Sequence, residues 1–217
     1  MRYARIPRVT CVIWIILLTA AVVSLSMGRW SVLFVSLAAF FLTTLPFLFS
    51  DRFHIELPNA FVGALSIFVF STLFLGEVFD FYERFWWWDV VLHGFSAMGF
   101  GIIGFLFVFY LFQGDRYAAP PWALALISFC FALAIGTLWE IFEFAMDQLF
   151  GMNMQKSGLI DTMWDLIVDT VGALIGAATG FLWLKGRHTT LSSLIDEFVE
   201  GNRGFYRRLR DRISRDK

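Results

Sequence analysis

Residues 159–184 read LIDTMWDLIVDTVGALIGAATGFLWL. A bilayer core about 30 Å thick takes roughly 20 apolar residues as one helix, and this run has that length and character. Yet it carries Asp161, Asp165 and Asp169 at i, i+4 and i+8, and the same stripe continues through Gly172, Gly176 and Gly180. Residues three and four apart share a helix face. Small residues let membrane helices approach closely, so the face that bears the acids is the face that packs. The acids are therefore expected to point into protein and away from lipid.

The rest of the chain agrees with a lipid solvent. Of 217 residues, 59% are hydrophobic and 16% charged, against roughly 25% charged in a soluble domain. So few polar side chains cannot cover a soluble protein of this size, which excludes a secreted disulfide scaffold, a disordered chain and an ordinary cytosolic enzyme. Further apolar runs at 9–27, 31–50, 59–79, 88–112 and 122–149 bring the expected spans to six. Breaks fall at Gly28-Arg29, at Asp51-Arg52 with Pro58, at Asp80 to Arg84, at Gly114 to Pro121 and at Gly151 to Gly158. The expected fold is an all-α, polytopic six-span bundle over 1–185 with an amphipathic basic tail over 186–217. Residues 1–27 also have the form of a signal sequence, with Arg2, Arg5 and Arg8 before an apolar core. That core is long and no clean small-residue cleavage site follows, so a retained first span is the expectation. Cys11 and Cys130 lie inside apolar runs, where burial as small hydrophobes is expected in preference to redox or metal chemistry.

Lysine and arginine in short loops set orientation. Arg2, Arg5, Arg8, Arg52, Arg116, Lys185 and Arg187 fall on one side, and only Arg29, Arg84 and Lys156 on the other. Both termini are thus expected in the cytoplasm, in a multi-pass protein of the cytoplasmic (inner) membrane. Trp86, Trp87, Trp88, Trp122 and Trp183 stand near span ends, as interfacial anchors do. In the tail, Leu191, Leu194, Ile195, Phe198 and Val199 repeat at helical spacing opposite Asp196, Glu197 and Glu200. A second stretch sets Phe205, Leu209 and Ile213 against Arg203, Arg207, Arg208, Arg210 and Arg212. Such a tail lies on the inner leaflet, drawn to anionic lipid; acids among the arginines speak against nucleic acid as a partner.

Charge inside membrane helices is costly and marks function. It is concentrated in the last three spans. The fourth opens with Asp89 and His93 at i and i+4, and continues through Ser96, Ala97, Gly101 and Gly104. The fifth holds Glu140, Glu143 and Asp147, preceded by Ala132 and Gly136. At 1.5 Å per residue, His93, Asp165 and Asp169 lie roughly 8–15 Å below the outer boundary. Glu140 and Glu143 fall at a similar level, whereas Asp89, Asp147 and Asp161 are nearer the mouth, where headgroup-level solvation is an alternative reading. Seven carboxylates converge, and Arg84 and Lys156 are the nearest cations. Burial either holds several acids protonated or a divalent cation supplies the missing charge. One imidazole among carboxylates suits Mg²⁺, Mn²⁺, Ca²⁺ or iron, with Zn²⁺ reachable through His93. Asp89, His93, Glu143, Asp165 and Asp169 are the expected metal ligands, Asp147 and Asp161 additional candidates, and Glu140 the expected catalytic base.

The run Trp88-Asp89 to His93-Gly94, then Trp139-Glu140 to Glu143, then Asp161 through Asp165 and Asp169 to Gly172 resembles the YjdF-like bacterial inner-membrane proteins. That resemblance implies a fold and no reaction. More loosely, Glu140 to Gly176 is similar to the VanZ-like family, linked to glycopeptide antibiotic tolerance and the cell envelope. Gln148, Asp165, Asp169 and Gly172 fit its pattern, but residues 151–158 hold no arginine of the kind it sets between the two helices.

Three functions follow as expectations. The first is a metal-dependent hydrolase or transferase acting on a lipid or cell-envelope headgroup in the outer leaflet. The second is a proton- or cation-coupled transporter. Against it, glycines close the inner half of the last three spans and no inverted repeat relates the two halves of the chain. The third is a non-catalytic subunit whose polar cluster holds partner helices. No nucleotide loop, GxSxG or HExxH motif occurs, and the sequence names neither substrate nor oligomeric state.

Overall fold

Apolar length and backbone hydrogen bonding leave few options inside a bilayer, because every amide must be satisfied within its own segment. The computed structural model describes residues 6–112 and 119–204. Six of its helices are long and apolar enough to cross a membrane: Arg8–Ser26, Trp30–Phe53, Asn59–Val78, Trp88–Phe112, Pro121–Phe150 and Leu159–Leu184. All regular structure among the described residues is helical. The chain is an all-α, multi-pass membrane protein, as expected.

Boundaries differ in instructive places. Asp51 and Arg52 do not break the second span, which runs on to Phe53. A charged pair in a final turn costs little, and Arg52 is a cation at the negative end of the helix dipole. The break comes at His54, in the left-handed region at φ 55°, where Ser50 Oγ donates to Ile55 O at 2.7 Å. The third span widens into a π-helix over Phe70–Val78, a departure that apolar periodicity does not reveal. Pro121 opens the fifth span at a first-turn position, and Gly151 closes it at φ 64°.

The chain forms two compact units. One comprises the residues up to Trp86 with those from Asp196 onward, the other Trp87–Ile195. In the first, Ile13, Leu17, Ala39 and Phe74 make a core. Two polar contacts tie the first span to its neighbours: the buried Thr10 Oγ1 to Ser66 Oγ at 2.8 Å, and the half-buried Trp14 Nε1 donating to Thr43 Oγ1 at 2.9 Å. Asn202 clasps Glu56, accepting from its N–H at 2.8 Å and donating to its carbonyl at 2.7 Å. This anchors the end of the Ser192–Gly201 helix. The tail residues from Phe205 on, together with Arg2, Arg5 and Arg116, lie outside the described residues.

In the second unit the glycine stripe packs as the sequence implies. A Cβ on Gly172 would lie 2.5 Å from Gly94 O, and one on Gly176 would lie 2.5 Å from Met98 O and 2.9 Å from Gly101 Cα. Gly180 meets the Phe105 ring, and Gly104 the Phe131 ring. Ser128 Oγ donates to Gly101 O at 2.5 Å, joining the fifth span to the fourth. The cysteine expectation is corrected: Cys11 and Cys130 are exposed. Lipid-facing positions need no protein cover, since hydrocarbon is as apolar as a core. Trp86 and Trp122 are exposed, whereas Trp183 packs edge-on against Phe105 and Phe109.

These contacts predict opposite outcomes for two glycines of the second unit. Gly176→Ala should destabilise by about 1–3 kcal/mol, the usual range for overpacking. Gly99→Ala, where nothing lies within 4 Å, should be neutral or stabilising by up to about 1 kcal/mol through helix propensity. Thermal unfolding of both variants in detergent checks the difference in sign.

Candidate functional site

His93 is the hub. It is buried on the fourth span one turn after Asp89, and its two ring nitrogens face different partners. Nδ1 lies 3.3 Å from Asp169 Oδ1 of the sixth span. Nε2 lies 3.8 Å from Asp89 Oδ1 and 3.8 Å from Glu140 Oε1 of the fifth. All three helices of the unit therefore meet at one imidazole. The close backbone approach makes this possible, because Gly94 next to His93 abuts Gly172, one turn beyond Asp169.

The carboxylates around it are deeply enclosed. Glu140 is 3% exposed, Asp165 2% and Asp169 1%. Both oxygens of Glu140, Oδ2 of Asp165 and Oδ2 of Asp169 are buried without a hydrogen-bond partner. Buried polar atoms rarely stay unsatisfied, and a group left so in a native fold calls for an ion, a proton or a water. Asp89, His93 and Asp165 each offer a ligand atom within 4.8 Å of one another. Two ligand atoms stand roughly 3.4 Å apart on a tetrahedral Zn²⁺ and up to about 5 Å apart on Ca²⁺. These three residues could therefore share a cation. The donor set of two carboxylates and an imidazole fits a hard or borderline divalent metal.

The expected site residues separate into three groups. Asp89, His93 and Asp165 form the ligand cluster; Glu140 and Asp169 stand against His93. Glu143 is buried but turned to its own helix, accepting from Trp139 Nε1 at 2.9 Å. Asp147 and Asp161 serve the loop that joins the fifth and sixth spans. Asp147 accepts from the N–H groups of Met154 and Gln155 at 2.7 and 2.9 Å, and Asp161 from that of Lys156 at 2.9 Å.

Two contributors went unread in the sequence. Trp139 as the donor to Glu143 has a signal, the i, i+4 spacing that sets the two side chains on one face. Thr162, which accepts from Gln155 Nε2 at 2.5 Å, has none, since one threonine near a helix start is ordinary.

The geometry can be compared with known proteins. No solved structure matches the chain. An uncharacterised protein of Thermotoga maritima is 32% identical over 142 residues, which cover 65% of this chain and 72% of the relative. The family described as predicted membrane protein (DUF2238) matches residues 8–186, which hold all six spans and every residue of the cluster. On that match the chain belongs to the DUF2238 family of predicted membrane proteins.

Proposed function

We propose that the second unit binds a divalent cation through Asp89, His93 and Asp165, and that this site hydrolyses or transfers a lipid or cell-envelope headgroup. The observation that carries the reading is the convergence of those three ligand atoms beside Glu140, whose two buried oxygens have no hydrogen-bond partner. Even with His93 protonated and the Lys156 charge acting on Asp89 from the loop, four carboxylates around the imidazole face two positive groups. A divalent cation restores the balance. Bound there, it would act as a Lewis acid and water activator.

The chain's own residues would do the rest. Asp89 and Asp165 hold charge against the cation, and Glu140, facing His93 from the fifth span, takes the proton of an attacking water. Close packing of Gly101 on Gly176 and of Phe105 on Gly180 favours chemistry at one end of the unit over transport through it. By the distribution of lysine and arginine, that end is the extracytoplasmic one, both termini are cytoplasmic and the membrane is the cytoplasmic one. The same family reading extends to the YjdF-like proteins that the sequence resembles.

Wild-type protein purified in mild detergent should carry a divalent metal in stoichiometric amount by elemental analysis, and His93→Ala and Asp165→Ala should lose it. Metal-free wild-type protein sinks the reading. Glu140→Gln should keep the metal and lower headgroup turnover by roughly 10²–10⁴-fold, the usual contribution of a general base. A fluorescent-protein fusion after Arg187 should fluoresce while a phosphatase inserted at 151–158 is active; the reverse pattern overturns the orientation.

A further inference from the structure

The sequence casts Asp169 as one more ligand, but one of its oxygens is turned to His93 and the other, which has no hydrogen-bond partner, to the fifth span. Oδ1 faces His93 Nδ1 at 3.3 Å. Oδ2 stands against Gly136 of the fifth span, where a Cβ would have no room. The carboxylate is wedged between a helix backbone and an imidazole, with one oxygen on each. The opposite ring nitrogen has a different environment. Nε2 is 3.8 Å from Asp89 Oδ1 and from Glu140 Oε1, too far for a hydrogen bond. Two ligands each about 2.1 Å from a tetrahedral ion stand roughly 3.4 Å apart, so the Nε2–Asp89 separation suits two atoms that share a cation, with Glu140 beside them.

We infer that Asp169 is a positioning residue, which fixes the His93 ring by accepting from Nδ1–H and so presents Nε2 to the cation, and that Gly136 exists at its position to admit that carboxylate. The inference rests on the metal reading proposed above. A histidine ligand generally donates its other ring N–H to a carboxylate or carbonyl, which selects the tautomer and makes the ligand more basic. The geometry supplies each part of that arrangement: an acceptor at Nδ1, carboxylates in front of Nε2, and a rigid wall behind the acceptor. It also explains why Asp169 can be 1% exposed and yet stand outside the group of ligand atoms that could hold an ion.

The test uses the full chain in detergent with Co²⁺ or ¹¹³Cd²⁺ as the only added metal. Asp169→Ala should still bind one ion by Co²⁺ absorption, with affinity lowered roughly 10–100-fold, as for loss of an outer-shell partner. Asp169→Asn keeps an acceptor oxygen and should recover most of that loss. In ¹⁵N-histidine spectra of the ¹¹³Cd²⁺-loaded wild type, cadmium coupling should fall on His93 Nε2, with Nδ1 still protonated. With three histidines in the chain, His93→Gln assigns the signal. Gly136→Ala, which displaces the carboxylate without removing it, should weaken Co²⁺ binding in the same direction as Asp169→Ala. Cadmium coupling on Nδ1, or loss of all binding in both Asp169→Ala and Asp169→Asn, overturns the positioning role and leaves the metal site standing. A wild type that binds neither ion fails at the earlier step and takes both readings with it.

Discussion

A carboxylate removed from water requires a proton, a hydrogen bond or an opposite charge, and the second unit is organised around that requirement. Glu140, Asp165 and Asp169 are almost wholly enclosed, and four of their six oxygens have no hydrogen-bond partner. Hydrocarbon offers no remedy from outside, so compensation has to come from within the three helices. His93 sits where it can serve all of them, with one nitrogen toward the sixth span and the other toward the fourth and fifth. A single imidazole cannot balance this many ionised acids, so the shortfall is met by protons on the carboxylates or by the cation proposed above.

Glycine sets the distances on which that arrangement rests. One of the two closest approaches between the fourth and sixth spans sets Gly172 against Gly94 O, directly beside His93 and one turn from Asp169; the other sets Gly176 against Met98 O. A side chain at Gly172 would meet the Gly94 carbonyl, push the helices apart and lengthen the 3.3 Å separation between imidazole and carboxylate. Gly136 does the same for the fifth span, bringing its backbone against the Asp169 carboxylate. Stability and site geometry therefore draw on the same residues: the stripe that lets the helices pack is the stripe that brings their ionisable groups together.

Much of this was legible in residues 88–184. Apolar length fixes the spans, and the i, i+4 acids on a small-residue stripe fix which face turns inward. What escaped the sequence has physical reasons. Charge at Asp51-Arg52 looks like a break but is compatible with a last helical turn, and the turn needed only a left-handed residue at His54. The π-helical Phe70–Val78 is as apolar as an α-helix, so composition carries no trace of it. Exposed thiols were unreadable because an apolar neighbourhood in sequence marks lipid as readily as protein. Ring orientation at His93 depends on three helices at once, and spacing within one helix says nothing about it.

The acids also divide by burial, and the division gives the half-buried pair Asp147 and Asp161 a part in the geometry of the cluster. Asp147 and Asp161 spend their oxygens on the N–H groups of Met154, Gln155 and Lys156, and Gln155 reaches on to Thr162. Those bonds hold the turn between the fifth and sixth spans from both of its ends. A fixed turn fixes the axial register of the two helices it joins, and a slip of one residue moves a side chain about 1.5 Å along the axis and 100° around it. Glu140 could not then face His93 while Asp169 does. Asp147 and Asp161 thus act on the cluster by keeping the fifth span level with the sixth, without contributing an oxygen to it. The loop acids belong to the construction of the cluster, and the buried acids to the cluster itself.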